Sequence, residues 1–338
     1  MTPMTAPTAI DPDLATLERL RAALQATRAS VATMVIGQPQ ALDLMLIGLI
    51  AGGHVLLEGP PGVGKTLMVR CLAQVSGLSF SRIQFTPDLM PADIVGAMVM
   101  VPDADGRNRL EFRKGPVFAQ LLLADEINRA SPRTQSALLE AMQEATISSA
   151  GISTPLPRPF FVLATQNPIE MEGTYSLPEA QIDRFLFRID VADPDQDTLT
   201  DILTATTGAA AANRTRTITP DDILQLQALV RSVPIAEPLR RGVARLSVAT
   251  QPGRSDTDAT VTRHVRFGIS PRGAQALVLG GKAHALLAGR NHVAVADLRA
   301  VLLPVVRHRL QLNFEGLASN LDADALMLRL FDQCLGHL

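Results

Sequence analysis

The sequence has few of the features that mark secreted or membrane-spanning proteins. It contains only two cysteines, Cys71 and Cys334, far apart in the chain, which indicates a reducing compartment rather than a disulfide framework. The N-terminal residues show no basic segment followed by an apolar core, so we expect no signal peptide. The most apolar run, residues 44–57, is too short to span a bilayer. We therefore expect a cytoplasmic protein without membrane insertion.

The chain also lacks an excess of charge of either sign. Its 338 residues include 31 basic and 33 acidic side chains, which gives a formal net charge of −2. This balance provides no global attraction to nucleic acid or to an anionic membrane. The length is sufficient for two domains, each with its own core.

Strand-like and helix-like segments alternate over the first part of the chain. Helical spacing marks residues 11–34, and residues 38–50 read as a second helix. The apolar strands that follow begin at His54, Ser81, Leu121, Phe160 and Arg184. Such alternation predicts a parallel sheet flanked by helices. We predict a disordered tail over residues 1–10, an α/β domain with a three-layer αβα core over 11–194, and a smaller all-helical domain over 195–338.

The segment GPPGVGKT matches the phosphate-binding pattern G-x-x-x-x-G-K-[ST] in full. It follows an apolar strand and opens a helix, and this context disfavours the alternative of a chance glycine-rich turn. Glycines let backbone N–H groups wrap around phosphate oxygens, and the helix N-terminus adds partial positive charge. Lys65 is expected to neutralise the β- and γ-phosphates of ATP, and the Thr66 hydroxyl to bind Mg²⁺. The predicted nucleotide-binding residues of this segment are Gly59, Pro60, Pro61, Gly62, Val63, Gly64, Lys65, Thr66 and Leu67.

Polar residues at the ends of two later strands complete a candidate ATPase site. Asp125 and Glu126 follow the strand at Leu121, and we expect Asp125 to hold Mg²⁺ through water and Glu126 to act as general base. Asn167 follows the next strand and is expected to position the water or sense the γ-phosphate. The alternatives are an acidic pair that caps the next helix and a simple Asn-Pro turn. The chain has no N-K-x-D guanine-reading motif, and a small-molecule kinase needs no second carboxylate, so we predict a Mg²⁺-dependent ATPase.

Together with these motifs, the segments QFTPDLMPADIVG, FRKGPVFAQLLLADEINRA, EGTYSLPEAQIDRF and ISPRGAQAL resemble the MoxR branch of the AAA+ ATPases, within the helix-2-insert clade. The resemblance runs from about Ile36 to the C-terminus. It implies a P-loop NTPase fold with a helical lid, and β-hairpin insertions at 96–113 and 144–161. It also implies that Arg184 is a finger that reaches a neighbouring subunit's γ-phosphate, that Arg272 is a second nucleotide sensor on the lid, and that Ile36 and Gly37 lie near the adenine.

The two arginines and the two hairpins also have plainer interpretations. Arg184 could form a surface salt bridge with Asp183 or Glu179, and Arg272 could be an ordinary arginine at a helix N-terminus, where the macrodipole disfavours it slightly. The two hairpins could be loops without a binding role.

An arginine supplied by a neighbour makes the active site composite, so subunit contacts would be heterologous and close into a ring. By resemblance we predict a homo-oligomer, a hexameric ring, that remodels or matures partner proteins or inserts metal cofactors into them. The resemblance implies partners with von Willebrand factor A domains. Two alternatives remain open: the motor subunit of a magnesium-chelatase-like complex, and a helicase-like nucleic-acid motor. Arg107, Arg109, Arg113 and Lys114 favour the second, whereas neighbouring acidic residues and the lack of a DNA-binding module disfavour it.

Overall fold

The computed structural model of the chain describes residues 14–102, 108–149, 152–167, 174–207, 216–254 and 258–338. The tail predicted over residues 1–10 lies outside these ranges, as does part of the segment EGTYSLPEAQIDRF. Among the described residues, no helix is long and apolar enough to cross a membrane.

The N-terminal part of the chain forms an α/β unit. Two helices come first, α1 (Leu14–Met34) and α2 (Pro39–Ala51). The first half of the unit then contains β1 (His54–Glu58), α3 (Lys65–Ser76), β2 (Phe80–Gln84), α4 (Pro91–Val95), β3 (Gly96–Pro102), β4 (Asn108–Lys114) and β5 (Leu121–Asp125). The second half contains α5 (Pro132–Glu144), β6 (Thr146–Ser149), β7 (Ile152–Pro155), β8 (Phe161–Gln166), α6 (Glu179–Ile182) and β9 (Phe185–Asp190). A single 3-10 turn, Ile127–Arg129, separates β5 from α5.

Five of these strands form the central sheet, in the order β2-β5-β8-β1-β9. All four neighbouring pairs are parallel, which confirms the predicted sheet. Strands β1, β5 and β8 are buried along almost their whole length, because helices cover both faces of a parallel sheet. Their side chains alternate between two apolar clusters: Leu57 and Leu123 point into one, and Leu56 and Leu122 into the other.

The two inserted hairpins implied by the resemblance are present. Strands β3 and β4 pair antiparallel, with Met98 opposite Phe112 and Met100 opposite Leu110. Strands β6 and β7 form a second antiparallel pair, with Ile147 opposite Thr154. Neither hairpin joins the central sheet. Both are therefore additions at the periphery of the sheet and leave its five-strand order intact.

The C-terminal part is helical, as predicted. Its helices are α7 (Gln196–Thr207), α8 (Pro220–Ser232), α9 (Glu237–Ala249), α10 (Ala259–His264), α11 (Pro271–Leu287), α12 (Val295–Val306), α13 (Phe314–Ala318) and α14 (Ala323–Leu335). The prediction of an exclusively helical lid needs one correction, because β10 (Val265–Phe267) and β11 (Gln311–Leu312) form a small antiparallel ribbon. Strands this short have no periodic signal, and their pairing depends on segments that are far apart in the sequence.

One apolar cluster joins the sheet to the helical part. It contains Phe187 of β9 together with Leu277 of α11 and Leu298 of α12. Helices α11 and α12 therefore pack against the outer strand of the sheet, on the side where the chain passes from the α/β unit to the lid. This packing sets where residues of α11, including Arg272, lie relative to the sheet.

Candidate functional site

The phosphate loop connects β1 to α3. Gly62 and Gly64 have φ values of 87° and 83°, a backbone conformation that residues with a Cβ rarely adopt. A Cβ atom built on either glycine would meet no other atom within 4 Å, so neither position is a glycine for lack of space. The loop requires glycine at both positions because its backbone has positive φ values there. Gly64 is also the N-cap of α3, so the loop leads directly into a helix N-terminus.

A cavity of about 320 Å³ lies over this loop at the carboxyl edge of the sheet. It brings together most of the residues that the sequence predicts for phosphate and metal binding and for water activation. The residues that line it are Pro61, Gly62, Gly64, Lys65, Thr66, Asp125, Glu126, Thr165 and Asn167. Four other predicted residues of the loop and the start of α3 are not among the described lining residues: Gly59, Pro60, Val63 and Leu67. Parallel strands whose carboxyl ends meet at one edge explain this convergence.

Lys65 is held within the loop. Its Nζ donates to the carbonyl oxygen of Gly59 at 2.5 Å and lies 3.4 Å from that of Gln166. Burial lowers the pKa of the Lys65 ammonium, whereas the carboxylates of Asp125, Glu126 and Glu58 act in the opposite direction. The ammonium therefore lies among carboxylates at the position where the loop would receive a phosphate.

Asp125 is fixed by two residues that the sequence analysis does not predict. The guanidinium of Arg82 on β2 donates to Oδ2 of Asp125 from Nε at 3.0 Å and from Nη2 at 2.7 Å. The Thr165 hydroxyl donates to Oδ1 at 2.6 Å. Thr165 could have been found from the sequence, because it lies two positions before Asn167 at the end of β8. Arg82 could not, since nothing in its local sequence indicates a partner on β5.

Glu126 has a left-handed backbone, with φ of 56°. For a residue with a side chain this conformation is strained, and such strain is concentrated at functional sites. The backbone N–H of Glu126 donates to the Thr165 hydroxyl at 2.8 Å. Its Oε2 accepts from Nε2 of Gln84 at 2.7 Å and from Nη1 of Arg129 at 3.0 Å. The hydroxyl of Thr165 therefore links the two carboxylate residues, and a β2 side chain contacts each of them.

A buried amide supports the turn that follows Glu126. Gln135 of α5 is fully buried, and its Nε2 lies 3.2 Å from the carbonyl oxygens of Ile127, Ala130 and Tyr175. It thus ties the 3-10 turn to the segment that leads into α6. The sequence offers no signal for this role, because Gln135 reads as one polar residue of an amphipathic helix.

Arg184 and Arg272 are not among the described residues that line the phosphate-loop cavity. Arg184 is half-buried, and its Nη1 donates to the carbonyl oxygen of Leu139 at 2.7 Å. The salt bridge with Asp183 that the sequence leaves open does not form, because Asp183 accepts from Nε of Arg309 at 2.7 Å instead. The Ser270 hydroxyl, at the N-cap of α11, lies 3.3 Å from Oδ2 of Asp183. The start of α11, two residues before Arg272, therefore contacts the residue that precedes Arg184.

Gly37 lines a second, larger cavity of about 830 Å³ between the α/β unit and the lid. A Cβ on Gly37 would lie 2.1 Å from Cγ2 of Thr198, so the glycine allows α7 to approach the chain before α2. Ile36, its neighbour, is half-buried. That these two residues contact adenine stays a prediction.

The donor set of the first cavity fits Mg²⁺. The Thr66 hydroxyl and the Asp125 carboxylate are oxygen ligands of the kind that Mg²⁺ prefers, and both line the same cavity. Within the described ranges, no group of three or more His, Cys, Asp or Glu residues could hold a metal ion. Mg²⁺ at phosphates is usually held by one or two protein ligands, and water and phosphate oxygens complete the shell.

The chain is similar to known proteins over most of its length. Residues 54–187 match the family described as ATPase family associated with various cellular activities (AAA), and residues 258–327 match the AAA lid domain. Chaperone MoxR1 of Mycobacterium tuberculosis is 42% identical over 299 residues, which cover 88% of this chain and 78% of that protein. Protein MoxR of Paracoccus denitrificans is 37% identical over 83% of this chain and 86% of its own length. The crystal structure of a candidate ATPase from Cytophaga hutchinsonii superposes with a TM-score of 0.84 at 35% identity, and covers 94% of this chain and 95% of that one.

Proposed function

The chain belongs to the MoxR family of AAA ATPases, and from this premise we propose that it works as a hexameric ring that couples Mg²⁺-dependent ATP hydrolysis to the remodelling or maturation of partner proteins. Insertion of metal cofactors into such partners is part of the same proposal. A cytoplasmic location agrees with Cys71 and Cys334, neither of which forms a disulfide in the part of the chain that the structure describes.

The observation that carries the ring proposal is the separation of the phosphate-loop cavity from the two predicted arginines. The cavity holds Lys65, Asp125 and Glu126, but the described lining includes neither Arg184 nor Arg272. Phosphoryl transfer needs positive charge on the transferred group, and arginine fingers supply it either in the same chain or from a neighbour. Because neither arginine is among the described residues of that cavity, we take a second copy of the chain as the source of the positive charge.

The residues in the cavity have distinct roles in this proposal. Lys65 and the loop N–H groups bind the phosphates of ATP, and Thr66 and Asp125 are the ligands that hold Mg²⁺. When bound, Mg²⁺ neutralises negative charge on the phosphate oxygens. Glu126 accepts the proton of the attacking water, and Asn167 orients that water. Thr165 holds the Asp125 carboxylate and the backbone of Glu126 through one hydroxyl.

The proposal that the partner is a protein rests on the relatives. One of them is named as a chaperone, and the family resemblance extends this to partners with von Willebrand factor A domains. The nucleic-acid alternative has less support, because Arg109 of the first hairpin is paired with Glu111 at 3.0 Å. The net charge of −2 likewise provides no general attraction to phosphate backbones.

The test is ATP turnover in a one-to-one mixture of two inactive variants, Lys65→Ala and Arg184→Ala. The first cannot bind nucleotide productively but offers its arginine, and the second binds nucleotide but offers none. Exchange of subunits is first established by energy transfer between labelled copies. We expect activity to return in this mixture, because some sites combine an intact loop with a neighbour's arginine.

A matched mixture controls for unspecific rescue. Lys65→Ala mixed with Glu126→Gln combines two defects that lie in the same cavity, so no arrangement of these subunits restores a site. Turnover should remain absent there. If the Lys65→Ala and Arg184→Ala mixture stays as inactive as this control while subunits exchange, Arg184 does not act between subunits and the composite site is wrong.

A further inference from the structure

Helix α7 lies on the surface of the molecule and buries little of its side-chain area. None of its twelve residues is buried, and the side chains of Leu199 and Leu203 are 45% and 53% exposed. A short helix owes its stability mainly to packing of an apolar face. In an isolated chain this helix leaves two leucines in water, so it has an apolar face available for another surface.

The same helix is acidic. It contains Asp197 and Asp201 and no lysine or arginine, and Asp193 and Asp195 immediately precede it. With 3.6 residues per turn, the two aspartates of the helix lie on one flank, and Leu199 and Leu203 lie on the opposite flank. The threonines Thr200 and Thr204 lie between these flanks. Small side chains in this position would let the helix sit deeply in a groove, with leucines against one wall and carboxylates against the other.

A groove of complementary character lies on the lid, between α8, α9 and α11, with a volume of about 750 Å³. Its apolar residues are Val243, Ala244, Ala274, Val278 and Leu279, and its basic residues are Arg231, Arg240 and Lys282. Burial, with Arg240 and Arg231 adding to it, lowers the pKa of Lys282. Within the described ranges, Glu237 is the carboxylate that pairs with these cations, through its 3.1 Å contact with Arg240, and Lys282 donates to the carbonyl oxygen of Arg231 at 2.9 Å. An acidic helix with exposed leucines has the chemistry that such a groove accepts.

The positions of the two surfaces suit a contact between successive copies. The groove lies on α11, the helix that begins beside Asp183 and Arg184. Helix α7 lies beside the second cavity, where Thr198 is next to Gly37, a residue that we predict to lie near the adenine. We call this face the nucleotide side. A ring in which one copy's arginine side faces the next copy's nucleotide side would bring groove and helix onto the same interface.

We propose that α7 of one copy docks into the α8–α9–α11 groove of the next copy and forms part of a head-to-tail contact. Such a contact is heterologous, since different faces of the two copies meet. The inference rests on the proposed ring and adds to it the pair of surfaces that join the subunits. The same carboxylates and cations would also guide the two copies into one orientation.

Charge reversal on each side tests the interface. In one variant Asp197→Lys and Asp201→Lys make the helix basic; in the other Arg240→Glu and Lys282→Glu make the groove acidic. Both are built on Glu126→Gln, so that ATP is held without turnover, and assembly is followed by sedimentation velocity over a range of concentrations. Each variant alone should weaken assembly by about 100-fold, because like charges then face each other. Thermal unfolding of each variant establishes that the monomer is folded.

The two reversed variants should assemble when they are mixed. A basic helix then meets an acidic groove, and an acidic helix meets a basic groove, so every contact in an alternating ring is complementary. Neither variant forms this ring alone. Rescue on mixing is therefore a result that a merely unfolded or damaged helix cannot produce.

A control variant carries Glu18→Lys and Glu144→Lys, two exposed helical carboxylates outside α7, and should assemble like the parent. If the reversed variants also assemble like the parent, or if mixing them brings no rescue, the α7 interface is wrong while the ring stands. If the parent itself stays monomeric with ATP, the ring proposal fails and the interface fails with it.

Discussion

The substitution Asp183→Asn removes one charge from the buried junction between the sheet and the lid. Arg309 is 6% exposed, and its Nε donates to Oδ1 of Asp183 at 2.7 Å. Its remaining N–H groups donate to the carbonyl oxygens of Asp183, Phe185, Leu186 and Val305 at distances between 2.6 and 3.1 Å. The guanidinium stays charged, since arginine does not lose its proton in proteins. The substitution therefore leaves a buried cation without its carboxylate.

The expected cost follows from the burial of the pair. Removing one partner of a buried ion pair costs about 3–5 kcal/mol, because the other charge is left uncompensated. The Asp183 side chain is 24% exposed, so water recovers part of this loss, and we expect about 3 kcal/mol. Asp332→Asn is the matched control: Arg299 and Asp332 have side-chain exposures of 48% and 50%, and breaking such a surface pair costs less than about 1 kcal/mol.

Urea unfolding of both variants measures the difference. With a denaturant slope of about 1–3 kcal/mol per molar, Asp183→Asn should lower the unfolding midpoint by about 1 M or more, and Asp332→Asn by much less. The slopes themselves should remain equal to that of the parent. Equal losses of stability in the two variants would show that burial makes no difference to the contribution of the ion pair, contrary to this prediction.

Three further predictions concern the site and the core. Thr165→Val removes the hydroxyl that donates to Asp125. Since a hydrogen bond to a charged group is worth about 1.5–3 kcal/mol, ATP turnover should fall by about 10- to 100-fold. Binding of a fluorescent ATP analogue should change little, and unchanged turnover would contradict the assigned contact. Gly64→Ala and Gly253→Ala each place a Cβ at a positive φ, 83° and 86°, with no atom within 4 Å. Each should lower the free energy of unfolding in urea by about 1–2 kcal/mol. Gly64→Ala should also lose nucleotide binding, whereas Gly253→Ala should keep it. Burial lowers the pKa of His54 to about 4, below the 6.5 of an unfolded chain, so the folded state binds fewer protons. The contribution of His54 to the free energy of unfolding should therefore fall by up to about 3 kcal/mol as the pH drops from about 6.5 to 4. This part of the pH dependence should be absent in His54→Gln, and its persistence there would assign it to another group.

Much of the site could be predicted because its parts are local in sequence. The phosphate loop is one continuous segment, and its glycines, Lys65 and Thr66 are recognisable by spacing alone. Asp125, Glu126 and Asn167 follow apolar strands, and parallel strands necessarily present their carboxyl ends at one edge. The alternation of strands and helices likewise predicts the sheet and the change to a helical lid.

The contacts that hold the site in place could not be predicted in this way. Arg82 reaches Asp125 and Gln84 reaches Glu126 only because β2 is the neighbour of β5, and strand order is a property of the whole chain. Gln135 is similar, since its partners come from two separate segments. Propensity and periodicity describe one segment at a time, so they carry no information about such pairs.

The phosphate loop and the two carboxylates at the edge of the parallel sheet could be predicted from the amino-acid sequence alone, because each of these features depends on residues close together in the chain. Other features are set by tertiary packing. The start of α11 contacts Asp183, Asp183 pairs with Arg309, and no residue of α7 is buried. Neither Arg184 nor Arg272 is among the described residues that line the cavity over the phosphate loop. These features depend on how the lid packs against the outer strand of the sheet, and that packing is the sum of many contacts between residues distant in the sequence.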